Sequence, residues 1–374
     1  MSVLERLFAN VWFTAGVKVV AAFALLLVVV ILLVWIERKV VADMQNRIGP
    51  NRAGPWGILQ TVADGLKLLF KESLIPRKVQ LGVYLAAPIA AMVPAFLIFL
   101  VIPVGRPFTI GETRVTMQVA DLNIALLFVL AMSSLAVYAV VLGGWASGSK
   151  YPLLGGVRAT AQMISYEAAM GLALVPVVLL ASSRAGGDAG ATSGAGSMSL
   201  ASIVELQQGA FRWKIPAWFI CWLIPSFVIY FIAAVAESNR APFDLVEAES
   251  ELVGGYHTEY SGFRFALFYL AEYLNMFNVS ALAVTLFFGG WLGPGFGLPP
   301  WIAWVMPVFW FFLKTFILVF VFIWLRATLP RLRYDQLMNL GWKRLIPLAL
   351  VWLMLFALVT ARTTFGWPWD KAAG

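Results

Sequence analysis

Cysteine and histidine are almost absent from this 374-residue chain, which contains only Cys221 and His257. An iron–sulfur cluster needs several thiolate ligands, and haem or zinc sites need more imidazole than one histidine supplies. No Gly-x-Gly-x-x-Gly motif follows a strand pattern, so a dinucleotide site has no support either. We therefore predict that the chain holds no metal, iron–sulfur cluster or covalently bound cofactor and has no redox centre of its own.

Charged residues are also scarce. They make up 12% of the chain, against about 25% in soluble domains, whereas 61% of the residues are hydrophobic. Apolar runs long enough to cross a bilayer recur along the whole length. The sequence therefore predicts an all-α integral membrane protein with about eight transmembrane helices in a single polytopic domain, residues 1–374. The predicted spans are 19–36, 83–104, 122–145, 159–181, 215–236, 263–292, 301–325 and 345–360.

Lysine and arginine are distributed unevenly among the connections between these spans. The connections 38–78, 150–158, 240–264 and 326–344 hold 17 of them, whereas the other connections and the two termini hold 9. Since cytoplasmic connections are enriched in basic residues, we predict that the first set faces the cytoplasm and that both termini face the outer side. Topology and lipid headgroups account for the net charge of +8 without a nucleic-acid partner.

Acidic residues are concentrated in one predicted cytoplasmic loop, 237–262, whose only Lys or Arg is Arg240. The loop holds six of the 19 acidic residues of the chain, although such loops normally favour basic residues. Like charges four positions apart on a helix, such as Glu247 and Glu251, repel each other by about 0.2–0.5 kcal/mol. A cluster that costs stability indicates a function. The candidate site residues here are Glu237, Asp244, Glu247, Glu249, Glu251 and Glu259.

Three ionisable residues lie within predicted spans. Glu167 and Glu272 lie about 12–14 Å along their helices from the cytoplasmic end, and therefore inside the hydrocarbon region. Intramembrane acids that can gain or lose a proton near pH 7 usually mark proton or ion paths, and the alternative is a structural pair with a neighbouring Arg or Tyr. Lys314 is expected either to pair with a carboxylate across the bundle or to lie in a file of water molecules.

The first cytoplasmic connection contains a predicted amphipathic helix, 56–72, whose polar side includes Asp64 and Lys67. Such a helix lies at the membrane surface or against another subunit. The preceding segment, Arg47-Ile-Gly-Pro-Asn-Arg-Ala-Gly-Pro55, is punctuated by Gly and Pro. We expect it to hold a fixed shape near an anionic or carbonyl ligand.

Three further residues lie near the predicted membrane boundary. Glu37 and Arg38 end the first span, where they are either a topogenic flank or part of a site. His257 belongs to the acidic loop, and it is expected to be a solvated loop residue.

Six motifs occur in order along the chain, and with them the chain resembles the H subunit family of respiratory complex I, which includes subunit 1 of mitochondrial NADH dehydrogenase. The resemblance runs from the first span to the eighth and is interrupted mainly at 182–199. The motifs are Arg47-Ile-Gly-Pro-Asn-Arg52, Ala63-Asp-Gly-Leu-Lys-Leu-Leu-Phe-Lys-Glu72, Ser165-Tyr-Glu167, Glu237-Ser-Asn-Arg-Ala-Pro-Phe-Asp244, Glu247-Ala-Glu-Ser-Glu-Leu-Val-Gly-Gly-Tyr256 and Arg331-Leu-Arg-Tyr-Asp-Gln-Leu-Met338.

The resemblance implies a membrane subunit of a proton-translocating NADH:quinone oxidoreductase, with quinone as the substrate. The implied partners are the peripheral-arm quinone-site and iron–sulfur subunits, the small and antiporter-like membrane-arm subunits, and lipids. Glu167 and Glu272 are then expected to begin the proton path, with the acidic loop as a relay. The residues expected to line the quinone chamber are Glu37, Arg38, Arg47, Asp64, Lys67 and Arg240.

Two alternatives remain open at this stage. The membrane anchor of an energy-converting hydrogenase has a similar fold but no quinone, and an autonomous proton-coupled secondary transporter would have an ion site at the bilayer midplane. The motif at Arg47 and the full run 237–256 favour the quinone enzyme, whereas broken-helix patterns and a second matching half are not evident. The chain length and the Gly/Ala tract in 182–199 favour a bacterial inner membrane protein.

Overall fold

The computed structural model describes residues 10–110, 113–187, 198–208, 218–244, 253–294 and 304–365. These parts of the chain are almost entirely helical, apart from a two-stranded antiparallel sheet formed by β1 (Phe108–Ile110) and β2 (Thr113–Val115). The helices are α1 (Val11–Met44), α2 (Gln60–Phe70), α3 (Leu81–Leu100), α4 (Ala125–Ala146), α5 (Lys150–Gly187), α6 (Leu200–Glu205), α7 (Ile224–Glu237), α8 (Phe263–Phe287), α9 (Met306–Thr328), α10 (Tyr334–Leu340) and α11 (Ile346–Phe365).

Within the described ranges, seven helical stretches are long and apolar enough to cross a membrane. They are α1, α3, α4, α5, α8, α9 and the continuous stretch from α10 through the π-helical turn Gly341–Leu345 into α11. The predicted fold class, an all-α integral membrane protein, is therefore confirmed. The predicted amphipathic helix is present as α2, whose apolar residues Leu66, Leu69 and Phe70 are exposed.

The fifth predicted span, 215–236, differs from the expectation. Its described part contains a 3-10 turn at Phe219–Cys221 and the 14-residue helix α7, which is shorter than the roughly 20 residues that cross a hydrocarbon core. α7 begins at Ile224 because Pro225 has no backbone N–H and is tolerated only in the first turn of a helix. Gln207 holds the preceding turn, since its side-chain carbonyl accepts a hydrogen bond from the Phe219 N–H at 3.1 Å.

α1 is longer than the predicted span 19–36 and contains 34 residues. Asn10 caps its N-terminus by accepting hydrogen bonds from two backbone N–H groups of the first turn. At 1.5 Å per residue the helix is about 51 Å long, so it extends beyond a hydrocarbon core of about 30 Å. Glu37 and Arg38 are therefore carried by a regular helix, which fixes the directions of their side chains.

Proline shapes the contact between α3 and the acidic loop. Pro88 cannot donate to the Tyr84 carbonyl, and the Tyr260 hydroxyl donates to it instead at 3.2 Å. The Tyr84 hydroxyl donates in turn to the backbone carbonyl of Glu259 at 2.9 Å, and the two tyrosine rings stack 4.3 Å apart. Burial raises the pKa of the Tyr260 phenol, so the phenol stays protonated and remains a donor. These contacts fix the end of the loop on the bundle.

α8 lies at the centre of the bundle, where it packs against α1, α3, α7 and α9. Its side chains from Met276 to Phe287 are almost all buried. Asn278, a polar residue of this stretch, is therefore held in the interior of the protein, whereas Glu272, about one turn before the stretch, is only partly buried.

Candidate functional site

A cavity of about 690 Å³ lies beside the C-terminal end of α1. Its volume is in the range of small-molecule sites, roughly 300–1,000 Å³. α1, the segment that follows it, α8 and α9 form the walls. The polar wall residues include three of the predicted site residues, Glu37, Arg38 and Arg47, together with Gln45, Tyr269, Tyr273 and Arg326.

The segment that follows α1 has a closely packed backbone. The Arg47 N–H donates to the Ala42 carbonyl at 2.9 Å, and Nε of Arg47 donates to Oε1 of Gln45 at 2.7 Å. Gly57 adopts a φ of +77°, and a Cβ at this position would lie 2.2 Å from the carbonyl oxygen of Pro50. Only glycine fits there, so the Gly- and Pro-rich segment forms a wall of defined shape.

Asp64 and Lys67 of α2 are not wall residues. The Asp64 carboxylate pairs with Arg38 at 2.5 Å and accepts a hydrogen bond from Gln60 at 3.1 Å, so it positions a guanidinium that lines the cavity. Lys67 lies three residues further along, about 60° around the helix axis, and its side chain is exposed. Lys67 therefore does not line this cavity, and its place in a quinone chamber stays a prediction.

Glu37, Arg240, Glu272 and Arg326 form one network of alternating charges. Arg326 of α9 and Arg240 of the acidic loop both contact Oε1 of Glu37, Arg240 at 3.5 Å. Nε of Arg240 lies 3.1 Å from Oε1 of Glu272, an ion-pair distance, although this N–H is not aligned for a hydrogen bond. The Arg240 guanidinium also lies 4.3 Å from the centre of the Tyr273 ring. The network leads from the cavity wall to α8.

Arg240 balances the two carboxylates of this network. The residue is 5% exposed. Burial alone would lower the pKa of its guanidinium, but Glu272 and Glu37 raise that pKa well above its ordinary value. Tyr273 also contributes to the electrostatic environment of both Glu37 and Arg240, so the network includes a phenol of the cavity wall.

Glu237 and Glu167 lie further along the bundle, where two consecutive serines of α4 contact them. Ser133 lies within hydrogen-bond distance of Oε1 of Glu237, and Ser134 of Oε1 of Glu167. Oγ of Ser134 also lies 3.1 Å from the Leu130 carbonyl oxygen. A hydroxyl donates only one hydrogen, so Ser134 either donates to an ionised Glu167 or donates to Leu130 and accepts from a protonated Glu167. Its hydrogen bonding therefore follows the protonation state of Glu167.

A small cavity lies between the charge network and the serine-bound acids. Glu272 and Glu237 both line it, together with Asn239 and Asn275. The space open to the centre of a water molecule is about 30 Å³, more than the roughly 10–15 Å³ that one water needs. One water molecule therefore fits between Glu272 and Glu237, and Glu37, Glu272, Glu237 and Glu167 form a series that begins at the large cavity.

Sequence reasoning missed Ser133, Ser134, Tyr273 and Arg326. Two serines in an apolar span are visible in the sequence, but serine in a helix most often bonds to its own backbone. Arg326 at the end of a span is explained equally well by the positive-inside rule. Only the packing of α4 and α9 on the acid-bearing elements separates these residues from ordinary structural ones.

The acidic loop begins with a part that is fastened to α5. Nε2 of Gln162 donates to the backbone carbonyls of Ala236 and Phe243, both at 2.7 Å. Asp244 follows directly and is half-buried. The Leu332 N–H donates to the Pro242 carbonyl at 3.0 Å, which ties this part of the loop to the segment before α10. Three candidate residues lie outside the described residues, namely Glu247, Glu249 and Glu251.

The end of the loop is fastened as well. A Cβ at Gly155 of α5 would lie 2.6 Å from Cα of Gly255, so the two backbones touch. The expectation that His257 is solvated is wrong: the imidazole is 9% exposed and packs against the rings of Tyr256, Phe265 and Tyr269. It is buried because the loop turns back onto the first turns of α8.

Lys314 also differs from the expectation of a carboxylate partner. Its ammonium donates to the carbonyls of Phe288, at 2.7 Å, Gly290, at 3.1 Å, and Leu292, and it lies 4.3 Å from the Trp218 ring centre. Backbone carbonyls just after a helix end lack helical partners and carry partial negative charge. Lys314 therefore satisfies the carbonyls that follow α8.

A family model described as NADH dehydrogenase matches residues 17–357 of the chain. The match runs from α1 into α11 and includes all the wall residues of the large cavity, the charge network and the serine-bound acids.

Proposed function

Because the chain belongs to the NADH dehydrogenase family, which contains subunit 1 or H of complex I, we propose that its large cavity forms part of the chamber in which complex I reduces a quinone. The observation that carries this proposal is the lining of the cavity by Arg38, Arg47, Arg326 and two tyrosines. A quinone headgroup has two carbonyl oxygens, and guanidinium N–H groups and phenol hydroxyls can donate hydrogen bonds to them. Exposed apolar residues nearby, such as Ile48 at the wall, suit an isoprenoid tail.

Reduction of the quinone consumes two electrons and two protons. The electrons come from iron–sulfur subunits of the peripheral arm in this proposal, since the ligands for such a cluster are too few in a chain with one Cys and one His. Negative charge that develops on the headgroup then lies beside the arginines of the wall. Two unit charges 4 Å apart interact by about 4 kcal/mol at an effective dielectric constant of about 20. An interaction of this size can change how Arg326 and Arg240 share Glu37.

We further propose that this change is transmitted to protons. Arg240 contacts both Glu37 and Glu272, so when its interaction with one carboxylate weakens, its interaction with the other strengthens. Glu272 releases or accepts a proton through the water-sized cavity that it shares with Glu237, and Ser133 and Ser134 continue the series to Glu167. The proton then passes toward the antiporter-like membrane-arm subunits, in what we propose is a bacterial inner membrane.

The chamber is tested by filling it from a wall position. Ala327 lines the cavity, and an Ala327→Trp side chain would occupy part of the space. The matched control is Ala86→Trp on an exposed position of α3. In membranes that contain the assembled complex, NADH oxidation with an acceptor upstream of quinone should be normal in both variants, whereas the KM for a short-chain quinone should rise at least about tenfold in Ala327→Trp alone.

Equal quinone kinetics in the two tryptophan variants would overturn the proposal for the chamber. The same preparation separates the alternatives from the outset. An autonomous transporter would purify without iron–sulfur subunits, and a hydrogenase anchor would purify with them but support no inhibitor-sensitive quinone reduction.

A further inference from the structure

Asn278 of α8 is buried in the membrane interior with a fixed amide orientation. The residue is 1% exposed, and its Nδ2 donates to the Ala95 carbonyl of α3 at 2.6 Å. A backbone carbonyl oxygen can only accept a hydrogen bond, so the nitrogen must face Ala95. Oδ1 of Asn278 therefore faces away from α3, and it has no hydrogen-bond partner among the described residues.

Asn278 and Glu237 line the same small cavity. The space open to the centre of a water molecule is about 20 Å³, enough for one water. Of the two carboxyl oxygens of Glu237, Oε1 is hydrogen-bonded to Ser133, whereas Oε2 is buried and has no hydrogen-bond partner among the described residues. The other polar wall residues are Ser133 itself, Ser238, whose hydroxyl already donates to the Val235 carbonyl, and Asn275.

Two residues that each carry an acceptor oxygen without a hydrogen-bond partner among the described residues, Glu237 and Asn278, thus line one water-sized cavity. Buried polar atoms are nearly always hydrogen-bonded to protein or to ordered water, and the oxygens of Asn278 and of an ionised Glu237 are both acceptors, which cannot satisfy each other. A species with two hydrogens to donate fits, whereas an anion does not. The remaining wall is apolar and is formed by Ile98, Val129, Ala136, Met163, Met170, Val279 and Leu282.

We propose that this cavity is a binding site for one water molecule, held by Glu237 and Asn278, and that Asn278 is a positioning residue for proton transfer at Glu237. The proposal rests on the proposed function, in which Glu237 carries a proton. When Glu237 is ionised, the water donates one hydrogen to Oε2 and one to Oδ1. When a proton binds Oε2, the carboxyl donates to the water oxygen, and the water keeps its hydrogen bond to Asn278.

The amide oxygen therefore keeps the water in place through both protonation states of Glu237. Glu237 lines this cavity and also the cavity that it shares with Glu272, so the two water positions flank one carboxyl group. The site lets Glu237 exchange its proton with a prepositioned water rather than wait for one to enter the membrane interior.

The test excludes the water without touching a polar group. Val129→Leu adds one methylene to the cavity wall, and Val93→Leu is the matched control at an exposed position of α3. Asn278→Leu removes the acceptor directly. In the assembled complex, the infrared carboxyl band that disappears in Glu237→Gln should shift in Val129→Leu and in Asn278→Leu but not in Val93→Leu. Coupled quinone reduction should fall about tenfold, less than the ~100-fold that a positioned acid or base itself contributes.

The outcomes separate this inference from the function on which it rests. A carboxyl band and a pH profile in Val129→Leu that match those of Val93→Leu would overturn the water site, even if Asn278→Leu fails to assemble. Full proton pumping in Glu237→Gln would overturn the proton path. The band shift in Val129→Leu would still establish the water site in that case, because it is measured without turnover.

Discussion

Arg240 lies 3.1 Å from Glu272 through its Nε atom, and this ion pair joins the acidic loop to the central helix of the bundle. The same guanidinium also contacts Glu37, so the loss of Arg240 affects both carboxylates. Within the charge network, Arg240 therefore connects Glu37 of α1 to Glu272 of α8.

Replacing Arg240 by Met should destabilise the protein strongly. The substitution leaves Glu37 and Glu272 buried without their shared cation, and removal of one partner from a buried ion pair costs about 3–5 kcal/mol. We expect little assembled complex and a lower unfolding temperature. The double variant Arg240→Met/Glu272→Gln should recover part of the loss because it removes one uncompensated charge. A single variant as stable as the parent would contradict the central place of Arg240 in the network.

Asp64 and Lys67 allow a matched comparison on one helix. Asp64→Ala removes the carboxylate that holds Arg38 at 2.5 Å, so the guanidinium should lose its fixed position at the cavity wall. Quinone reductase activity should fall several-fold while an acceptor upstream of quinone is still reduced at the normal rate. Lys67→Ala should leave both activities close to normal, since Lys67 is exposed and lies off the wall. Equal loss of both activities in Asp64→Ala would instead indicate failed assembly.

In this protein, the sequence predicts structure well where a residue type has one usual environment. Long apolar runs predict membrane-spanning helices because an unpaired backbone is too costly in lipid, and this succeeds for α3, α4 and α9. It fails for α7, which begins only at Ile224 because of Pro225, after a turn held by Gln207, a side chain that lies outside the predicted span. The resemblance predicts Glu37 at a chamber wall, but its pairing with Arg240 and Arg326 depends on contacts that form only on folding.

His257 and Lys314 illustrate a second limit. The environment of each is decided by elements that lie beside it only after folding: aromatic rings for His257, backbone carbonyls after α8 for Lys314. Backbone acceptors have no residue type to recognise in a sequence. The sequence therefore predicts a carboxylate or water molecules beside Lys314, whereas the structure has backbone carbonyl oxygens there.

Ser134→Ala should interfere with proton transfer at Glu167 without weakening the fold. The substitution removes a hydroxyl that is able to exchange its donor and acceptor roles between Glu167 and Leu130. The control is Ser280→Ala, since Ser280 is a buried serine of α8 whose hydroxyl donates to its own helix, to the Met276 carbonyl at 2.8 Å. We expect normal assembly in both variants and a lower coupled rate, with an altered pH profile, in Ser134→Ala alone. Identical behaviour of the two variants would mean that the Ser134 hydroxyl serves only to bond to the carbonyl of its own helix.

The three interior acids Glu167, Glu237 and Glu272 provide the most direct test of the proton path. Gln at any of these positions keeps the shape and one carbonyl acceptor but removes the exchangeable proton, so a proton cannot pass through the position. Glu272→Gln also removes the negative charge that pairs with Arg240, and we expect it to lower stability as well as turnover. The hydrogen bond described for the side chain of Glu167 is the one with Ser134. Glu167→Gln should therefore assemble normally and lose coupled turnover, because electron transfer stalls when its proton path is blocked. Proton pumping and quinone reduction should be measured together in reconstituted vesicles. Normal rate and full pumping stoichiometry in Glu167→Gln and Glu237→Gln would remove both residues from the path and leave Glu272 as a structural partner of Arg240.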